Sequence, residues 1–466
     1  MLHGAIFVWS IGMEIKRDQY LNALSEKRNN GRVKIITGLR RCGKSYLLFN
    51  LYKKYLISNG ITEDQIIEIA LDDIENVRYR NPFELNEFIK QKITNKSQIY
   101  YVFIDEIQFC SEVDNPYLPD SDEKITFVDT ILGLMKNKNV DIYITGSNSK
   151  LLSSEVLTQF RDRGDEIHVF PLSFAEYWTA WQQIHTRNSI PISFPVEFQN
   201  ADIHAAWREF CYFGGMPYIL SLETTKEKSQ YLKDLFEETY LKDIIERKKI
   251  RNDKDILDIL LDFISSSIGS LTNPAKLANR FQSEKHIKIS HTTIANYLDF
   301  FCEAYIISSA NRYDVKGGRY FDTPLKYYFA DIGLRNARLN FRQVEENHIM
   351  ENIIYNELIL RGFNVDIGVV PYSTRIIEDG REKKVREMLE VDFVINNINQ
   401  KYYIQSALTV DDPEKRQQEI KSLNRINDSF RKIVIVKDDI LPKRDEKGIF
   451  YIGILDFLLN QDFLDR

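Results

Sequence analysis

The sequence predicts an α/β protein of several domains, beginning with a parallel sheet that has helices on both of its faces. Three observations favour this fold class. The chain has 466 residues, well beyond the ~150 residues of a typical domain. A glycine loop lies between a short β-branched strand and a helix, and an apolar strand further on ends in two acids. Later, helical stretches precede a Gly-Gly turn between two strand-like runs.

Composition supports folded cores and restricts the partners. Hydrophobic residues make up 43% of the chain and charged residues 28%, which is ample for buried cores. The formal net charge is -6 and the pI is about 5.8. Such a balance argues against diffuse attraction to nucleic acid, so that any DNA binding must be local.

The cysteines predict a reducing environment. They stand singly, without CxxC pairs or clustered histidines that would ligate zinc. We therefore interpret them as buried thiols of a cytoplasmic protein. They are Cys42, Cys110, Cys211 and Cys302.

The first twelve residues, "MLHGAIFVWSIG", are apolar but shorter than the ~20 residues of a membrane span, and no cleavage site follows them. A second methionine, Met13, opens an ordinary segment. We expect residues 1–12 to be an extension, with either Met1 or Met13 as the true start, and we expect no membrane partner.

The glycine loop predicts a nucleotide site. Residues 38–45, "GLRRCGKS", fit G-x4-G-K-[ST] and have the required strand before and helix after. Glycines let backbone N–H groups wrap around phosphate, the lysine reaches the β- and γ-phosphates, and the serine hydroxyl ligates Mg²⁺. The predicted cofactors are ATP and Mg²⁺. The predicted contacts are Gly38, Cys42, Gly43, Lys44, Ser45 and Tyr46.

The strand "SQIYYVFIDEIQ" ends in paired carboxylates. Asp105 is predicted to hold Mg²⁺ together with Ser45, and Glu106 to orient and deprotonate water. The alternative is a charged strand end at the surface.

The next strand, "NVDIYITGSNS", ends in polar residues that lie beside Asp105 if the sheet is parallel. Asn148, with Ser147 as a substitute, is a candidate contact to the γ-phosphate or the attacking water. A plain helix cap by one of these residues or Ser149 is the alternative. Further on, Arg161 and Arg163 are candidates for an arginine finger or phosphate sensor, and solvated or salt-bridged arginines are the alternative.

Five motifs, "TGLRRCGKS", "FIDEIQ", "ITGSNSKLLSSE", "PLSFAEYW" and "YFGGMPY", together resemble prokaryotic AAA+-like P-loop ATPases of the archaeal ATPase group, from about Met13 to the end. In that group a P-loop domain is fused to a C-terminal domain of unknown function. The resemblance implies phosphate and magnesium contacts at Gly43, Lys44 and Ser45, and catalysis at the two acids of "FIDEIQ". It also adds Arg41 to the nucleotide contacts, because Arg41 matches the second arginine of the family's loop.

Two features depart from that pattern or stand outside it. Relatives tend to read F-R-G-R-G-D-E where this chain has Asp162 between its two candidate fingers. The stretch "CSEVDNPYLPDSDEKIT" is an acidic loop, either for interaction or as a passive surface.

The middle of the chain predicts a connector and a winged helix. "KEKSQYLKDLFEETYLKDIIERKKI" has the periodicity of a long amphipathic helix. Three short helices and the hairpin around Gly317-Gly318 follow, which is the order of a winged helix-turn-helix. Acids and bases balance there, but several cations lie around the predicted recognition helix and wing. DNA contact and intramolecular packing both remain open. The cations are Lys276, Arg280, Lys285, Lys288, Lys316 and Arg319.

The last part resembles the PD-(D/E)xK restriction-endonuclease fold. Glu357 and Asp392 are candidates for two metal ligands, but Gln405 and Ala407 replace the Glu and Lys of the third motif. Lys401 or Arg416 are candidates for the missing cation. We expect an inactive scaffold.

The predicted organisation has five parts. They are an extension (1–12), an AAA+-like P-loop ATPase domain (13–200), a helical connector (201–250), a winged-helix domain (251–340) and a nuclease-like domain (341–466).

The predicted function is Mg²⁺-dependent ATP hydrolysis that drives a conformational switch on duplex DNA or on a protein partner. One alternative is an ATP-regulated nuclease that uses Glu357 and Asp392. Another is a winged-helix DNA-binding regulator that binds ATP without turnover. ATP and ADP are the expected ligands, and a homo-oligomer is a candidate assembly in which an arginine acts in cis or in trans.

Overall fold

A computed structural model describes residues 14–146, 160, 163–187, 202–248, 250, 254–342, 345–378, 381–397 and 400–461. The chain divides into two compact units, Met1–Pro171 and Leu172–Arg466. Among the described helices, none combines the length and the apolar character needed to span a bilayer.

The first unit is built on a five-stranded parallel sheet with the order β2-β3-β6-β1-β7 in its described part. After the strand Val33–Gly38, the chain forms a helical run in three parts. These are Lys44–Tyr46, a π-helical stretch (Leu47–Tyr52) and Lys53–Ser58. The strands are β1 (Val33–Gly38), β2 (Ile66–Ala70), β3 (Tyr100–Asp105), β6 (Val140–Thr145) and β7 (Gly164–Val169), with the short pair β4 (Val113–Asp114) and β5 (Lys124–Ile125) apart from them. The helices are α1 (Asp18–Glu26), α2 (Lys44–Tyr46), α3 (Lys53–Ser58), α4 (Pro82–Lys92) and α5 (Phe127–Leu134).

Both faces of this sheet are buried, which explains why its strands are apolar throughout. Alternate residues of β3 point to opposite sides, because side chains alternate along a strand. Val102 and Ile104 join the core that contains the apolar residues of α4 and α5. Phe103 packs on the other side against Tyr52 and Tyr143, with ring centroids 5.9 and 5.4 Å away. The predicted parallel sheet with helices on both faces is therefore present.

The second unit begins with helices and continues into a mixed sheet. Its helices are α6 (Phe174–Arg187), α7 (Ile203–Phe213), α8 (Thr225–Asp234), α9 (Lys242–Arg247), α10 (Lys254–Ser266), α11 (Pro274–Lys285), α12 (His291–Glu303), α13 (Ile332–Arg338), α14 (Glu346–Leu360), α15 (Pro413–Glu419) and α16 (Ile454–Leu459). Its strands are β8 (Ile307–Asp314), β9 (Arg319–Phe329), β10 (Asn364–Glu378), β11 (Arg381–Asn397), β12 (Gln400–Ala407), β13 (Arg431–Val436), β14 (Lys443–Arg444) and β15 (Phe450–Gly453).

The described strands of this unit form one sheet with the order β14-β15-β13-β12-β11-β10-β8-β9. The β8–β9 hairpin, which the sequence assigns to a winged helix, pairs in parallel with β10 through Arg312 and Ile367. The hairpin and the C-terminal strands thus share backbone hydrogen bonds. The mixed sheet is observed. The winged-helix and nuclease-like assignments of its parts remain predictions.

The "PLSFAEYW" motif has a packing role at the start of the second unit. Phe174 meets the rings of Trp207 and Phe210 edge-on, with centroids 5.3 and 5.5 Å away. Tyr177 donates a hydrogen bond to Glu209 at 2.7 Å, and the Trp181 indole, in the turn after the motif, donates to the same carboxylate at 3.2 Å. The motif therefore joins α6 to α7.

Lys228 on α8 completes this network, with its ammonium 2.5 Å from Glu209. Burial would raise the pKa of Glu209, but Lys228 and the neighbouring donors outweigh burial and hold that pKa below its usual value. The carboxylate is thus stably charged between three elements.

The Gly-Gly of "YFGGMPY" allows a close approach of backbone and a buried acid. A Cβ on Gly215 would lie 2.2 Å from the carbonyl oxygen of Leu172, and one on Gly214 would lie 2.2 Å from Asp331. Asp331 caps α13 by accepting from Leu334 N at 3.0 Å and also accepts from Gly215 N at 2.7 Å. Burial raises the pKa of Asp331 to about 6.

Candidate functional site

The loop after β1 needs glycine at two positions. Gly38 has φ 131°, and a Cβ there would lie 2.1 Å from the carbonyl oxygen of Val169. Gly43 has φ 102°, in the left-handed region. Arg41, with φ 65°, is exposed in the same turn. The two glycines of the motif are therefore required by backbone geometry.

The loop is braced from β7 and from the N-terminal segment. The Cys42 thiol is buried and contacts the Val169 carbonyl oxygen at 3.1 Å. The guanidinium of Arg17 donates to the carbonyls of Cys42 at 3.3 Å and Phe170 at 2.8 Å. Because the Cys42 side chain faces the protein, a contact between Cys42 and a ligand would have to come from its backbone.

Lys44 lies at the base of this loop. Its ammonium donates to the carbonyls of Gly38 at 3.0 Å and Leu39 at 2.9 Å, and the side chain is buried. Burial, with Lys44 as a second cause, lowers the pKa of His168 to about 4, so His168 is neutral beside the ammonium. Tyr46, one turn into the helix, is partly buried, and burial raises its pKa.

Two candidate side chains lie where adjacent parallel strands end. β3 and β6 are neighbours, with Ile104 opposite Ile144, and β6 is also the neighbour of β1. The carboxyl ends of parallel strands lie at one edge of the sheet. Asp105 and Thr145 are the last residues of their strands, which places both beside the loop that follows β1.

Asp105 is the centre of this group. Thr145 Oγ1 donates a hydrogen bond to Asp105 Oδ1, and Ser45 also hydrogen-bonds to the carboxylate. Burial, reinforced by the charge of Glu106, raises the pKa of Asp105 to about 6, while the hydroxyl bonds oppose that rise. A hydroxyl and a carboxylate in contact are hard oxygen donors of the kind that Mg²⁺ prefers. The residues present therefore fit this ion.

Glu106 has an unusual backbone and an engaged side chain. Its φ is 52°, which is uncommon outside glycine and is a form of strain that clusters at functional sites. Its amide N–H faces Thr145 Oγ1 at 3.5 Å, and its carboxylate accepts a hydrogen bond from the Gln108 side chain. Gln108 lies in the short 3-10 helix Ile107–Phe109. Neither Thr145 nor Gln108 was among the residues predicted from sequence.

Of the other predicted catalytic residues, only Arg163 lies in the part of the chain that the structure describes. Asn148, with Ser147 and Arg161, lies outside the described residues. Arg163 is exposed and directly precedes β7, whose first residue pairs with Val33 at the start of β1. Five residues of strand, about 16 Å, separate that end of the sheet from Gly38. A contact between Arg163 and a nucleotide would therefore need a neighbouring copy of the chain.

The structure corrects the sequence-based pairing of Glu357 with Asp392 as candidate metal ligands. Glu357 forms an ion pair with Arg361 at 2.7 Å, one turn along α14. The α14 carboxylate whose charge acts on Asp392 is instead Glu351. Six residues correspond to about 240° around a helix, so the two glutamates face different sides.

The structure also describes the two residues that replace the Glu and Lys of the third nuclease motif. Gln405 and Ala407 are both buried on β12. Lys401, one candidate for the missing cation, packs over the rings of Tyr313 and Phe430 at 5.0 and 5.5 Å.

Comparison with known proteins agrees with this geometry. Residues 30–178 match the family described as AAA domain, and residues 204–345 match a domain of unknown function. The chain is similar to a Walker-type ATPase of Pyrococcus abyssi at a TM-score of 0.46, with 15% identity over 70% of this chain and 96% of that one. At that level the structural likeness carries no inference.

Two sequence relatives extend over nearly the whole chain. An uncharacterized protein of Methanocaldococcus jannaschii is 28% identical over 90% of this chain and 87% of its own length. An uncharacterized protein of Haemophilus influenzae is 30% identical over 96% of this chain and 98% of its own length. The chain therefore carries the P-loop domain of the AAA ATPases and belongs to the same family as this Haemophilus influenzae protein.

Proposed function

We propose that the chain is a Mg²⁺-dependent ATPase whose turnover drives a conformational switch on a macromolecular partner. The observation that carries this proposal is the meeting of Ser45, Asp105 and Thr145 beside the loop that contains Lys44. Binding alone needs the loop. Turnover also needs a base, and Glu106 is the carboxylate next to the proposed metal ligand.

Each side chain has a role in this proposal. The backbone of Gly38 and Gly43 surrounds the phosphates, with Arg41, Cys42 and Tyr46 as further predicted contacts. Lys44 leaves the loop carbonyls to neutralise the β- and γ-phosphates. Ser45 and Asp105 hold Mg²⁺, which neutralises charge that develops on the phosphate oxygens.

Glu106 orients and deprotonates the attacking water. The hydrogen bond from the Gln108 side chain restrains this carboxylate. A partner that moves the Ile107–Phe109 turn would change the freedom of the base and so couple its own binding to hydrolysis.

The test is steady-state phosphate release by the full chain with Mg-ATP. Lys44→Ala is expected to lose nucleotide binding. Glu106→Gln is expected to keep binding and to lose turnover by about 10²-fold or more, the range for a general base. Glu87→Gln, which changes an exposed glutamate on α4, is the matched control and should behave as wild type. Equal turnover in Glu106→Gln and wild type would refute the catalytic assignment.

Duplex DNA is the partner favoured by the middle segment, which supports the predicted winged helix. Three helices, α10 to α12, precede the β8–β9 hairpin, and Thr272 between the first two helices forms a bridge to Leu325 of β9 with two backbone bonds of 2.9 Å. Three exposed basic residues lie around the connection between α11 and α12: Lys285 ends α11, Lys288 lies in the connection, and His291 begins α12.

The cations of the predicted wing are engaged within the chain instead. Lys316 donates to the carbonyl of Pro371 at 3.1 Å, and Arg319 lies 3.5 Å from Asp314. We therefore propose that the DNA contact lies at the connection between α11 and α12 rather than in the wing.

Fluorescence anisotropy with labelled duplex DNA separates the two surfaces. Lys285→Ala/Lys288→Ala is expected to weaken binding and to reduce the salt slope by about 2, because each phosphate contact contributes about 0.9. Lys316→Ala is the matched control. If the double variant binds like wild type while turnover persists, a protein partner replaces DNA in the proposal.

A further inference from the structure

The second unit holds a buried cluster of acids that the proposed ATPase does not use. Glu351 comes from α14, Glu390 and Asp392 come from β11, and Gln405 comes from β12. Glu351, Asp392 and Gln405 are buried, and the Glu390 side chain is about one-third exposed (35%). Together they present three carboxyl groups and an amide oxygen from three elements.

The ammonium of Lys326, from β9, lies within this cluster. It is 2.8 Å from Glu351 Oε1 and 2.6 Å from Glu390 Oε1, and its side chain is 4% exposed. Burial alone would lower the pKa of Lys326, but the charges of Glu351, Asp392 and Glu390 outweigh burial and raise it above the ordinary value. Lys326 is therefore a permanent positive charge.

Glu351 is fixed in place by a second donor. The buried Tyr328 hydroxyl donates to the same Oε1 atom at 2.6 Å, and its ring stacks on Tyr355 at 4.2 Å. On the other side, a Cβ on Gly269 would lie 3.2 Å from Glu351 Oε2. The carboxylate has little room to move away from the ammonium.

Asp392 and Gln405 form the second part of the cluster, and they are hydrogen-bonded to each other. Asp392 Oδ2 accepts from Gln405 Nε2 at 2.9 Å and from Ser406 N at 2.8 Å. Gln405 Oε1 is buried without a hydrogen-bond partner among the described residues. An unsatisfied buried acceptor is costly, and it lies on the amide that binds Asp392.

This donor set has the chemistry of a hard cation site, since carboxylate and amide oxygens are the ligands of Mg²⁺, Ca²⁺ and Mn²⁺. The geometry is different. Within the described residues, no three His, Cys, Asp or Glu side chains are arranged to hold a metal ion. The cation at the centre of these acids is an ammonium.

We infer that Lys326 takes the place of a divalent cation in this cluster, so that the chain supplies its own counter-ion where a nuclease-like fold would bind a metal. The residues present therefore do not fit the metal of an active PD-(D/E)xK site. A divalent ion would have to share the acids with a buried positive charge, which repels it strongly at such distances. The cluster acts as a closed ionic junction between β9, α14 and β11.

The inference is tested on the full nucleotide-free chain with two probes, Mn²⁺ and Tb³⁺. Tb³⁺ emission is sensitised by nearby tyrosines such as Tyr328. Lys326→Met is expected to create a site that binds at least about tenfold more tightly than any site in wild type, because a like charge has been removed. Lys326→Arg keeps the charge and should gain nothing. Adding Glu351→Gln to Lys326→Met should abolish the new site.

Thermal unfolding keeps the test decisive if Lys326→Met folds poorly. In that case, Mn²⁺ is expected to raise the Tm of Lys326→Met by more than it raises that of wild type, whose Ser45 and Asp105 are present in both proteins. Two results would overturn the inference. One is a metal site in wild type that Glu351→Gln removes, since lysine and metal would then coexist. The other is a Lys326→Met protein that binds Mn²⁺ no more tightly than wild type and gains no more stability from it, since the cluster would then be an ordinary salt bridge.

Discussion

Replacing Thr145 by valine tests the geometry of the proposed ATP site most directly, because one hydroxyl contacts the carboxylate of Asp105 and the backbone amide of Glu106. Thr145 Oγ1 donates to Asp105 and lies 3.5 Å from the amide of Glu106. Valine has nearly the same shape as threonine and the same β-branching, so it keeps the strand and removes only the hydroxyl. The change therefore isolates a polar contact at the end of β6.

The magnitude follows from the charge of the acceptor. A hydrogen bond to an ionised group contributes about 1.5–3 kcal/mol. At about 1.4 kcal/mol per factor of ten, loss of this bond should lower kcat/KM about 10- to 150-fold. Because the hydroxyl also opposes the raised pKa of Asp105, the concentration of Mg²⁺ needed for half-maximal rate should rise.

The assay is phosphate release at varied ATP and varied Mg²⁺, with Thr145→Ser as the control that restores the hydroxyl. Thr145→Ser should stay within about threefold of wild type, well short of the loss expected for a charged hydrogen bond. A loss of folded protein would lower the rate at every Mg²⁺ concentration. A higher Mg²⁺ concentration for half-maximal rate would instead indicate a weakened metal site. If Thr145→Val shows wild-type kcat/KM and an unchanged Mg²⁺ requirement, the reasoning that links Thr145 to Asp105 is refuted.

Three further predictions concern the second unit. Gly215→Ala should destabilise the unit by about 2 kcal/mol or more, because its Cβ would meet a carbonyl oxygen at 2.2 Å; Gly133→Ala, with open space around it, should leave the Tm unchanged or raised. Glu209→Gln should lower the free energy of unfolding by about 3 kcal/mol, because it leaves the Lys228 ammonium without its anionic partner. Asp331→Asn should change the pH dependence of stability. The folded pKa of Asp331 is raised to about 6, so its contribution is present below the unfolded value of about 3.9 and is lost as pH rises through 6. Denaturant unfolding should show wild type losing up to about 3 kcal/mol relative to Asp331→Asn between pH 4 and pH 7; a constant difference would contradict this.

Local chemistry made the loop and the Asp105 strand predictable. The required glycines, the lysine and the serine are consecutive, and the flanking strand and helix have their own periodicity. Thr145 was missed for a related reason. A threonine at the end of a β-branched run is expected as a strand former, so the sequence favoured the polar residues that follow it, Ser147 and Asn148. The available signal was that strands adjacent in a parallel sheet end together.

The acids of the second unit could not be assigned from sequence. α14 is buried on more than one side, with Met350, Glu351, Ile354 and Glu357 all inaccessible, so its pattern does not distinguish the two glutamates. Lys326 on β9 is separated from that helix by the end of its strand and the short helix α13, and its ion pair with Glu390 joins β9 to a strand more than fifty residues further along the chain. Contacts of that range leave no periodic trace in the chain.

The two buried acid groups differ in what balances their charge, and this difference bears on which of them is prepared for a metal. The charges that act most on Asp105 are those of Glu106 and Asp72, both negative. An external cation would relieve that repulsion, so that metal binding there would be favourable in free energy. Around Asp392 the equivalent repulsion is already met by Lys326. An added ion there would have to displace a tethered charge held at two carboxylates. A buried carboxylate on a strand thus favours metal-dependent turnover in the first unit and a fixed ionic junction in the second.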